Sequence, residues 1–310
     1  MLLDEVTTRS ASFAEVLSVI RRVAQTDVNV LLTGETGTGK DFVAGLIHDA
    51  SARRSSPFLK IDCASIPPSL AESEFFGYEK GAFSDAFESK TGKLQLAHHG
   101  TIYLDGVNHL PANIQSKLLR FVQERQVEAL GGGRLVQVDC RLIASCSAPI
   151  DVCVKERQLR EDLYYRLSAV TIHLPPLRER IADLDFLVSG LVKEFNEKYR
   201  KKIEPVDQLL EFLKGYRWPG NIRELRNVIE QAVIHSNGTI VPRDLLLEHS
   251  LAQQDSLAFA ADQMLSLEQI EKLYITEVLR RVKGHQSKAA KILKINRKTL
   301  MMKKRKYGLE

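Results

Sequence analysis

The strongest constraint on this chain is a glycine-rich stretch that ends in lysine. It reads Gly34, Glu35, Thr36, Gly37, Thr38, Gly39 and Lys40. An apolar, strand-like run at 28–32 precedes it, and apolar residues at helical spacing follow it. In this strand, loop and helix order, backbone N–H groups and a helix start favour a phosphate, and the lysine adds positive charge. The sequence therefore predicts a phosphate-binding loop for a nucleoside triphosphate in an α/β fold.

The magnesium ligand is expected to come from outside this loop. The position after the lysine, where Ser or Thr usually binds Mg²⁺, is Asp41. Residues 100–105 form an apolar strand that ends in Asp105, and an acid at such a strand end usually orders the ion in phosphate-loop enzymes. We expect Asp105 to hold Mg²⁺.

Apolar periodicity divides the chain into four segments. Further strand-like runs occupy 58–62, 135–147 and 170–174. Only helical patterns follow residue 177, and a polar stretch then precedes two short helices at helix-turn-helix spacing. The predicted organisation is an α/β domain at 1–175, a helical domain at 176–248, a linker at 249–264 and an all-α domain at 265–310.

The C-terminal segment is strongly basic. Twelve of the 44 Lys and Arg residues lie between positions 280 and 309, where there is no Asp or Glu, and the rest of the chain has 32 bases against 39 acids. This distribution is typical of double-stranded DNA binding; the alternative is a solvated charged surface. Asn296 stands at the N-cap of the last helix, so Arg297 and Lys298 are expected at or in the major groove.

Composition narrows the class of protein. The 310 residues suit two or three domains, and the sequence has neither an apolar run of membrane-spanning length nor a signal-peptide pattern. Four cysteines without CxxC spacing indicate reduced thiols rather than a metal site or disulfides. We expect a cytoplasmic protein with no membrane partner.

The order of these motifs resembles the bacterial enhancer-binding proteins, the AAA+ ATPases that activate sigma-54 RNA polymerase. The resemblance spans nearly the whole chain, and its tail resembles the Fis-type DNA-binding domain of that family. The matching runs are 34–41, 72–77, 81–86, 160–167, 174–180, 218–225 and 286–309.

The resemblance implies an AAA+ parallel sheet with a helical lid and a ring, usually hexameric, with ATP between its subunits. Arg160 and Arg166 match the arginines that reach the γ-phosphate of the neighbouring subunit, and Arg223 matches the lid arginine of the same site. The alternative for Arg160 and Arg166 is a salt bridge to Glu161 or Asp162. An arginine finger contributes roughly 10³ to 10⁵ in rate.

Two further contact regions follow from the resemblance. One is the loop that grips the sigma factor, with Phe83 as its contact; it comprises Gly81, Ala82, Phe83, Ser84, Asp85 and Ala86. The other is the DNA-binding helix, which the family uses at upstream enhancer sites. Its expected DNA-binding residues are Asn296, Arg297, Lys298, Met301 and Lys303.

The sequence departs from the family at the hydrolytic centre. The family glutamate that polarises the attacking water is Gly106, and the family asparagine on the second strand is Asp62. General-base help is worth roughly 10² to 10⁴ in rate. We expect ATP binding with slow or absent turnover, and any turnover to depend on Asp62, unless Asp62 is merely a polar strand end.

Other departures fall in the contact regions. Ser84 and Asp85 replace the Thr and Gly of the sigma-factor loop, Cys146 and Ser147 replace a Thr-Asn pair, and Lys294 replaces a turn glycine. In the last helix an aromatic and an apolar residue are replaced by Met301 and Lys304.

Three functions are compatible with these residues. The first is a regulator that remodels sigma-54 RNA polymerase holoenzyme using ATP, as a homo- or hetero-oligomer. The second is a hydrolysis-deficient ATP-binding subunit that acts with or against an active partner. The third is a DNA-binding regulator independent of sigma-54. No sensing domain precedes the ATPase segment in this sequence, so control is expected from expression, a partner or a removed domain.

Overall fold

The structure is a computed structural model that describes residues 3, 6–205, 207–236, 238–240, 245, 266–282 and 285–307. The chain forms two compact units, Met1–Leu245 and Leu246–Glu310. The predicted linker at 249–264 lies outside the described residues. No described helix is long and apolar enough to span a bilayer.

The strands of the first unit are short and mostly buried. In chain order they are β1 (Val30–Thr33), β2 (Phe58–Asp62), β3 (Gly77–Tyr78), β4 (Lys90–Thr91), β5 (Thr101–Asp105), β6 (Gln126–Glu128), β7 (Leu135–Gln137), β8 (Arg141–Cys146), β9 (Val170–His173), β10 (Glu204–Pro205) and β11 (Thr239–Ile240).

Five of these strands form a parallel sheet in the order β2-β5-β8-β1-β9. Their carboxyl ends therefore meet at one edge, which is where ligands bind in open α/β sheets. Register pairs Asp62 at the end of β2 with Asp105 at the end of β5. The predicted phosphate loop, which follows β1, lies at the same edge.

The helices of the first unit cover both sheet faces and form the lid. They are α1 (Ala11–Ala24), α2 (Lys40–Asp49), α3 (Pro68–Phe76), α4 (Lys93–Leu96), α5 (Ala112–Glu124), α6 (Ile150–Lys155), α7 (Glu161–Leu167), α8 (Leu184–Tyr199), α9 (Asp207–Lys214) and α10 (Asn221–His235). Short 3₁₀ turns occupy Val107–His109, Leu177–Glu179 and Ile181–Asp183.

Alternation along the strands separates two cores. Val30 and Leu32 of β1 pack with the apolar faces of α1 and α2. Leu31, between them, points to the opposite face and packs with α3, α5 and α7. Period-two alternation in a buried strand thus places one layer of helices on each side of the sheet.

The prediction of one continuous strand at 135–147 is wrong. Its first part is β7, which pairs antiparallel with β6 in a separate hairpin, and its second part is β8 in the central sheet. Apolar residues run through both parts, so periodicity could not show the change of sheet. Likewise, the region after residue 177 contains a two-residue pairing of β10 with β11 beside its helices.

The second unit contains three helices among its described residues. They are Leu267–Arg281, Gln286–Ile292 and Arg297–Tyr307, packed around Ile275, Val278, Ala289, Ala290 and Leu300. The predicted capping box is confirmed, because Ser266 N donates to Gln269 Oε1 at 2.7 Å and Gln269 N donates to Ser266 Oγ at 3.3 Å. Lys294 has φ +52°, which is the left-handed conformation that glycine favours.

Candidate functional site

The predicted phosphate loop connects β1 to α2, and Lys40 is the first residue of α2. Lys40 Nζ donates hydrogen bonds to the carbonyl oxygens of Gly34 at 2.8 Å and Glu35 at 2.9 Å. Burial lowers the pKa of Lys40, and the negative charge of Asp105 opposes that shift. The ammonium is therefore held inside the loop, where a phosphate can replace the two carbonyl partners.

The glycines of the loop allow the lid to approach it closely. Gly37 and Gly39 have φ of +83° and +99°, and a Cβ on Gly37 would lie 2.2 Å from the Gly220 carbonyl oxygen. Ile222 N, in the first turn of α10, donates to the Gly37 carbonyl at 3.0 Å. A side chain at position 37 would separate the lid from the loop.

Asp105 lies in a dense polar network. Ser145 Oγ donates to Asp105 Oδ1 at 2.7 Å and Tyr103 OH donates at 3.1 Å. Lys60 Nζ is 3.5 Å from Asp105 Oδ2 and also forms an ion pair with Asp41. Burial opposes ionisation of Asp105, but the Ser145 hydrogen bond and the Lys60 charge outweigh it and lower its pKa. Asp105 is thus an ionised carboxylate.

The charged state of Asp105 fits a Mg²⁺ ion that enters with a triphosphate. Mg²⁺ commonly takes one or two protein carboxylates and completes its octahedron with water and phosphate oxygens. Asp41 is another carboxylate of the same cleft. No group of three or more His, Cys, Asp or Glu side chains within the described residues could hold a metal by itself.

Lys40, Asp62, Asp105 and Arg223 all line one cleft of about 470 Å³. The structure thus brings together the expected phosphate, metal and lid residues. Asp62 is exposed, and its Oδ1 accepts a hydrogen bond from Ala64 N at 3.1 Å. The resemblance had pointed to Asp62 as a neighbour of the missing glutamate, and the paired register with Asp105 places it beside the end of β5.

Gly106 follows Asp105 in a left-handed conformation, with φ +73° and ψ +52°. Its N–H donates to Ser145 Oγ at 2.9 Å. Ser145 therefore links the Gly106 backbone to the Asp105 carboxylate.

A second pocket of about 420 Å³ adjoins the cleft, and sequence reasoning missed it. It shares Gly39, Phe42, Ile222 and Arg226 with the cleft, and its lining is mainly apolar. No sequence pattern indicates this pocket, because its lining residues come from four distant segments of the chain. Its aromatic and aliphatic members are Phe13, Phe42, Val43, Phe186, Leu187 and Ile222.

Arg180 lies in the wall of this second pocket. The residue is only 5% exposed, and its guanidinium is 4.2 Å from the centre of the Phe13 ring. Its Nε and Nη1 have no hydrogen-bond partner in the part of the chain that the structure describes. Buried donors of this kind are costly unless a ligand or water satisfies them.

The two expected arginine fingers lie outside the cleft. Arg160 is the N-cap residue of α7, and it pairs with Asp162 at 2.7 Å and donates to Ser116 Oγ at 3.0 Å. Arg166 is exposed near the end of α7, and none of its side-chain atoms has a polar partner within the described residues. The salt-bridge alternative thus describes Arg160 but not Arg166.

The predicted sigma-factor loop is the tip of the β3–β4 hairpin. Gly81 N donates to the Ala86 carbonyl at 2.8 Å, which closes the loop at its base. Phe83 is 45% exposed and packs edge-on against Tyr78, with ring centres 4.9 Å apart. Phe87, which the sequence analysis did not single out, is 75% exposed just beyond the loop. The hairpin therefore presents two aromatic rings.

The expected DNA-binding residues differ in their surroundings. Asn296 caps the last helix, because its Oδ1 accepts a hydrogen bond from Thr299 N at 2.7 Å. Arg297 and Lys298 are exposed and have no ion pair within the described tail, and Met301 is 42% exposed. Lys303 instead forms an ion pair with Glu271 of the first tail helix.

The motifs and the fold agree with three family models. Residues 6–173 match the sigma-54 interaction domain, 178–263 match an AAA+ ATPase lid domain, and 266–307 match the bacterial regulatory proteins of the Fis family. This chain belongs to the sigma-54 activator family. The expected family and the AAA+ fold class with a Fis-type helix-turn-helix tail are confirmed.

Similar proteins in this family are transcriptional regulators. The chain is 37% identical to the regulatory protein AtoC of Escherichia coli (strain K12) over 98% of its length and 68% of that protein. It is 40% identical to the alginate biosynthesis regulator AlgB of Pseudomonas aeruginosa over 99% of its length and 68% of that protein.

Solved structures agree with this assignment. NtrX from Brucella abortus is 32% identical and superposes with a TM-score of 0.74, covering 98% of this chain and 69% of NtrX. A second NtrX structure, in complex with ATP, gives a TM-score of 0.73 over 98% of this chain and 69% of NtrX.

Proposed function

We propose that this protein is an ATP- and DNA-binding transcriptional regulator that remodels sigma-54 RNA polymerase holoenzyme. The observation that carries the proposal is the docking of the first turn of α10 on the phosphate loop. This docking places Arg223 of the lid in one cleft with Lys40 and Asp105. A lid that contacts the loop directly can transmit nucleotide occupancy to the rest of the ring.

ATP would enter with its phosphates on the loop and its base in the apolar pocket beside it. Lys40 would exchange its two carbonyl partners for phosphate oxygens. Arg180 Nε lies 3.9 Å from Asp183 Oδ2, and Arg180 Nη1, which has no hydrogen-bond partner among the described residues, would donate to polar atoms of the nucleotide. Asp105 would hold Mg²⁺, with Asp41 nearby. The ion would supply positive charge against the phosphates.

The site is proposed to be completed by a neighbouring subunit of a hexameric ring. Arg166 is exposed, lacks a polar partner among the described residues and does not line the cleft of its own chain. An arginine that stabilises the phosphoryl group in a neighbouring subunit must be exposed and free of partners in its own subunit. Arg160 would join it after leaving Asp162.

The hairpin loop is proposed to contact the sigma factor through Phe83. Phe87 enlarges the apolar surface of the same hairpin, so both rings would contribute to the contact. Exposed aromatic residues clustered on a protein surface are typical of interaction sites. Asp85 adds a negative charge to the loop without burying it.

The tail is proposed to bind double-stranded DNA at upstream enhancer sites. Arg297 and Lys298 lie at the N-terminal end of the last helix, the end that reaches base edges in helix-turn-helix proteins. Their lack of an acidic partner in the described tail leaves both charges available for DNA.

One observation favours a second function. Gly106 lacks a side chain that could activate water, which fits a hydrolysis-deficient subunit that binds ATP and acts with or against an active partner. Purified protein alone would then bind ATP without turnover, and activity would appear only in mixed rings. The hairpin with two exposed aromatic rings argues against a regulator independent of sigma-54.

Transcription from a sigma-54 promoter with purified holoenzyme tests the proposal. Wild-type protein with ATP should yield transcripts, and a non-hydrolysable analogue should not. Phe83→Ala should end transcription while ATP and DNA binding persist, and Lys40→Ala should lose ATP binding. Full transcription with Phe83→Ala, or ATP binding unaffected by Lys40→Ala, would contradict it. Transcription restored only by an active homologue would favour the second function.

A further inference from the structure

The imidazole of His109 occupies the space beside Gly106 where a side chain would lie. An ideal Cβ on Gly106 would be 2.9 Å from His109 Cδ2 and 3.7 Å from His109 Nε2. The 3₁₀ turn Val107–His109 causes this arrangement, because His109 N donates to the Gly106 carbonyl at 2.9 Å. The chain thus turns back on itself and brings an imidazole over the glycine.

His109 also lines the same cleft as Lys40, Asp105 and Arg223, and it is exposed to solvent there. The His109 ring is therefore accessible to water in the cleft that is expected to hold the γ-phosphate. Histidine is the side chain that most often acts as a general base in enzymes. His109 is the only histidine among the described residues that line this cleft.

Asp62 is the competing group, and the structure favours His109 over it. Asp62 Oδ1 accepts a hydrogen bond from Ala64 N and belongs to a neighbouring strand. The His109 ring instead lies beside Gly106, the position of the missing glutamate, because both residues belong to the turn that follows Asp105. No polar partner of the His109 ring occurs among the described residues.

We infer that His109 is the group that activates the attacking water, in place of the glutamate that Gly106 lacks. In this step a nitrogen of the imidazole accepts a proton from water as the water oxygen bonds to the γ-phosphorus. The bond between the γ-phosphorus and the bridging oxygen breaks, and ADP leaves with that electron pair. The imidazolium then returns its proton to bulk water. The inference rests on the proposed function, because it requires ATP in the cleft.

Single-turnover ATP hydrolysis by the full chain tests the inference. His109→Ala should lower the rate by roughly 10² or more, the usual contribution of a general base, and leave the affinity for ATP unchanged. Added imidazole should restore part of the lost rate in His109→Ala. Asp62→Asn should lower the rate less than His109→Ala does, because Asp62 does not occupy the position of the missing glutamate. His235→Ala, an exposed histidine at the end of α10, is the matched control and should behave as wild type.

Several outcomes would overturn the inference. These are an unchanged rate in His109→Ala, a loss that imidazole does not rescue, a larger loss in Asp62→Asn, and the absence of turnover in wild type with ATP bound. Absence of ATP binding in wild type would instead contradict the proposed function. Gly106→Glu alone is a poor test, because its Cβ would strain a left-handed backbone and displace the His109 ring; Gly106→Glu with His109→Ala removes that contact.

Discussion

Asn221 in the lid donates a hydrogen bond from Nδ2 to Oε2 of Glu35 in the phosphate loop, at 3.1 Å. The same Nδ2 donates to the Thr36 carbonyl at 3.1 Å, and Oδ1 accepts from Leu177 N at 2.7 Å. Asn221 is fully buried and has φ +54°, a conformation that asparagine tolerates better than most residues. One side chain thus joins the loop, the segment after β9 and the lid.

Asn221→Ala is expected to weaken both stability and ATP affinity. The change removes the hydrogen bonds to Glu35, Thr36 and Leu177 and leaves the buried Leu177 N–H unpaired, which costs about 1 to 3 kcal/mol. ATP affinity should fall because the lid and the loop no longer hold a common geometry. Thermal unfolding and titration with a fluorescent ATP analogue measure the two effects.

Asn196→Ala is the matched control for this prediction. Asn196 makes a similar pair of hydrogen bonds, with Ile203 O at 2.8 Å and Ile203 N at 3.0 Å, but it lies in α8 and does not line the cleft. It should lower stability and spare ATP affinity. Equal losses of affinity in both variants would show that Asn221 acts only through stability.

The ion pair of Glu35 with Arg178 makes the lid contact sensitive to acid. Arg178 donates to both Glu35 carboxylate oxygens, at 2.6 and 2.9 Å. The hydrogen bond from Arg178 is the main cause that lowers the pKa of Glu35 below its ordinary value of 4.5, against the opposing effect of burial. A lowered folded-state pKa gives stability that is present above pH 4.5 and is lost as pH falls through the folded-state value.

The fluorescence of Trp218 can measure this loss. Trp218 is the single tryptophan of the chain, fully buried three residues before Asn221. Its signal should change as pH falls below the ordinary glutamate range, and Glu35→Gln should remove that component while leaving any change caused by other acids. Identical pH profiles for wild type and Glu35→Gln would contradict a role for this ion pair.

Local motifs were predictable from the sequence, whereas contacts between distant segments were not. The Ser266–Gln269 capping box and the Asn296 cap depend on residues three apart, and the structure has both. The tie between Asn221 and Glu35 joins residues 186 apart, so no spacing rule indicates it. The apolar pocket beside the cleft was missed for the same reason.

The site shows the same division at finer scale. The motif alone showed that Gly106 replaces the family glutamate, but it did not indicate the position of the His109 ring. That position depends on the left-handed φ of Gly106 and on the turn that follows, which are properties of the folded backbone. Similarly, the sequence could not show that Lys60 would pair with Asp41 and Asp105.

Arg166→Ala is expected to spare ATP binding and abolish turnover that depends on assembly. Arg166 has no polar partner to lose among the described residues, so the folded chain should tolerate the change. Turnover measured against protein concentration should rise on assembly in wild type and stay flat in the variant. Arg120→Ala, which removes an exposed arginine paired with Glu124 at 2.9 Å, is the control.

Mixing variants sharpens this test. Lys40→Ala subunits lack the ATP site but retain Arg166, and Arg166→Ala subunits retain the ATP site. If the arginine acts on a neighbour, mixed rings should recover turnover that neither variant shows alone. Lack of recovery in rings shown to be mixed would contradict a shared site.

The tail should bind duplex DNA through Arg297 and Lys298 more than through Lys303. Arg297→Ala combined with Lys298→Ala removes two exposed charges, so affinity should fall and the slope of log affinity against log salt should decrease by about 2. Lys303→Ala should cost less, because Lys303 must first leave Glu271, which also accepts a hydrogen bond from Tyr307 OH at 2.6 Å. Fluorescence anisotropy of the full chain with duplex DNA between about 50 and 200 mM salt measures these slopes. A larger loss in Lys303→Ala than in the double variant would show that the ion pair opens on binding and that the other end of the helix contacts the DNA.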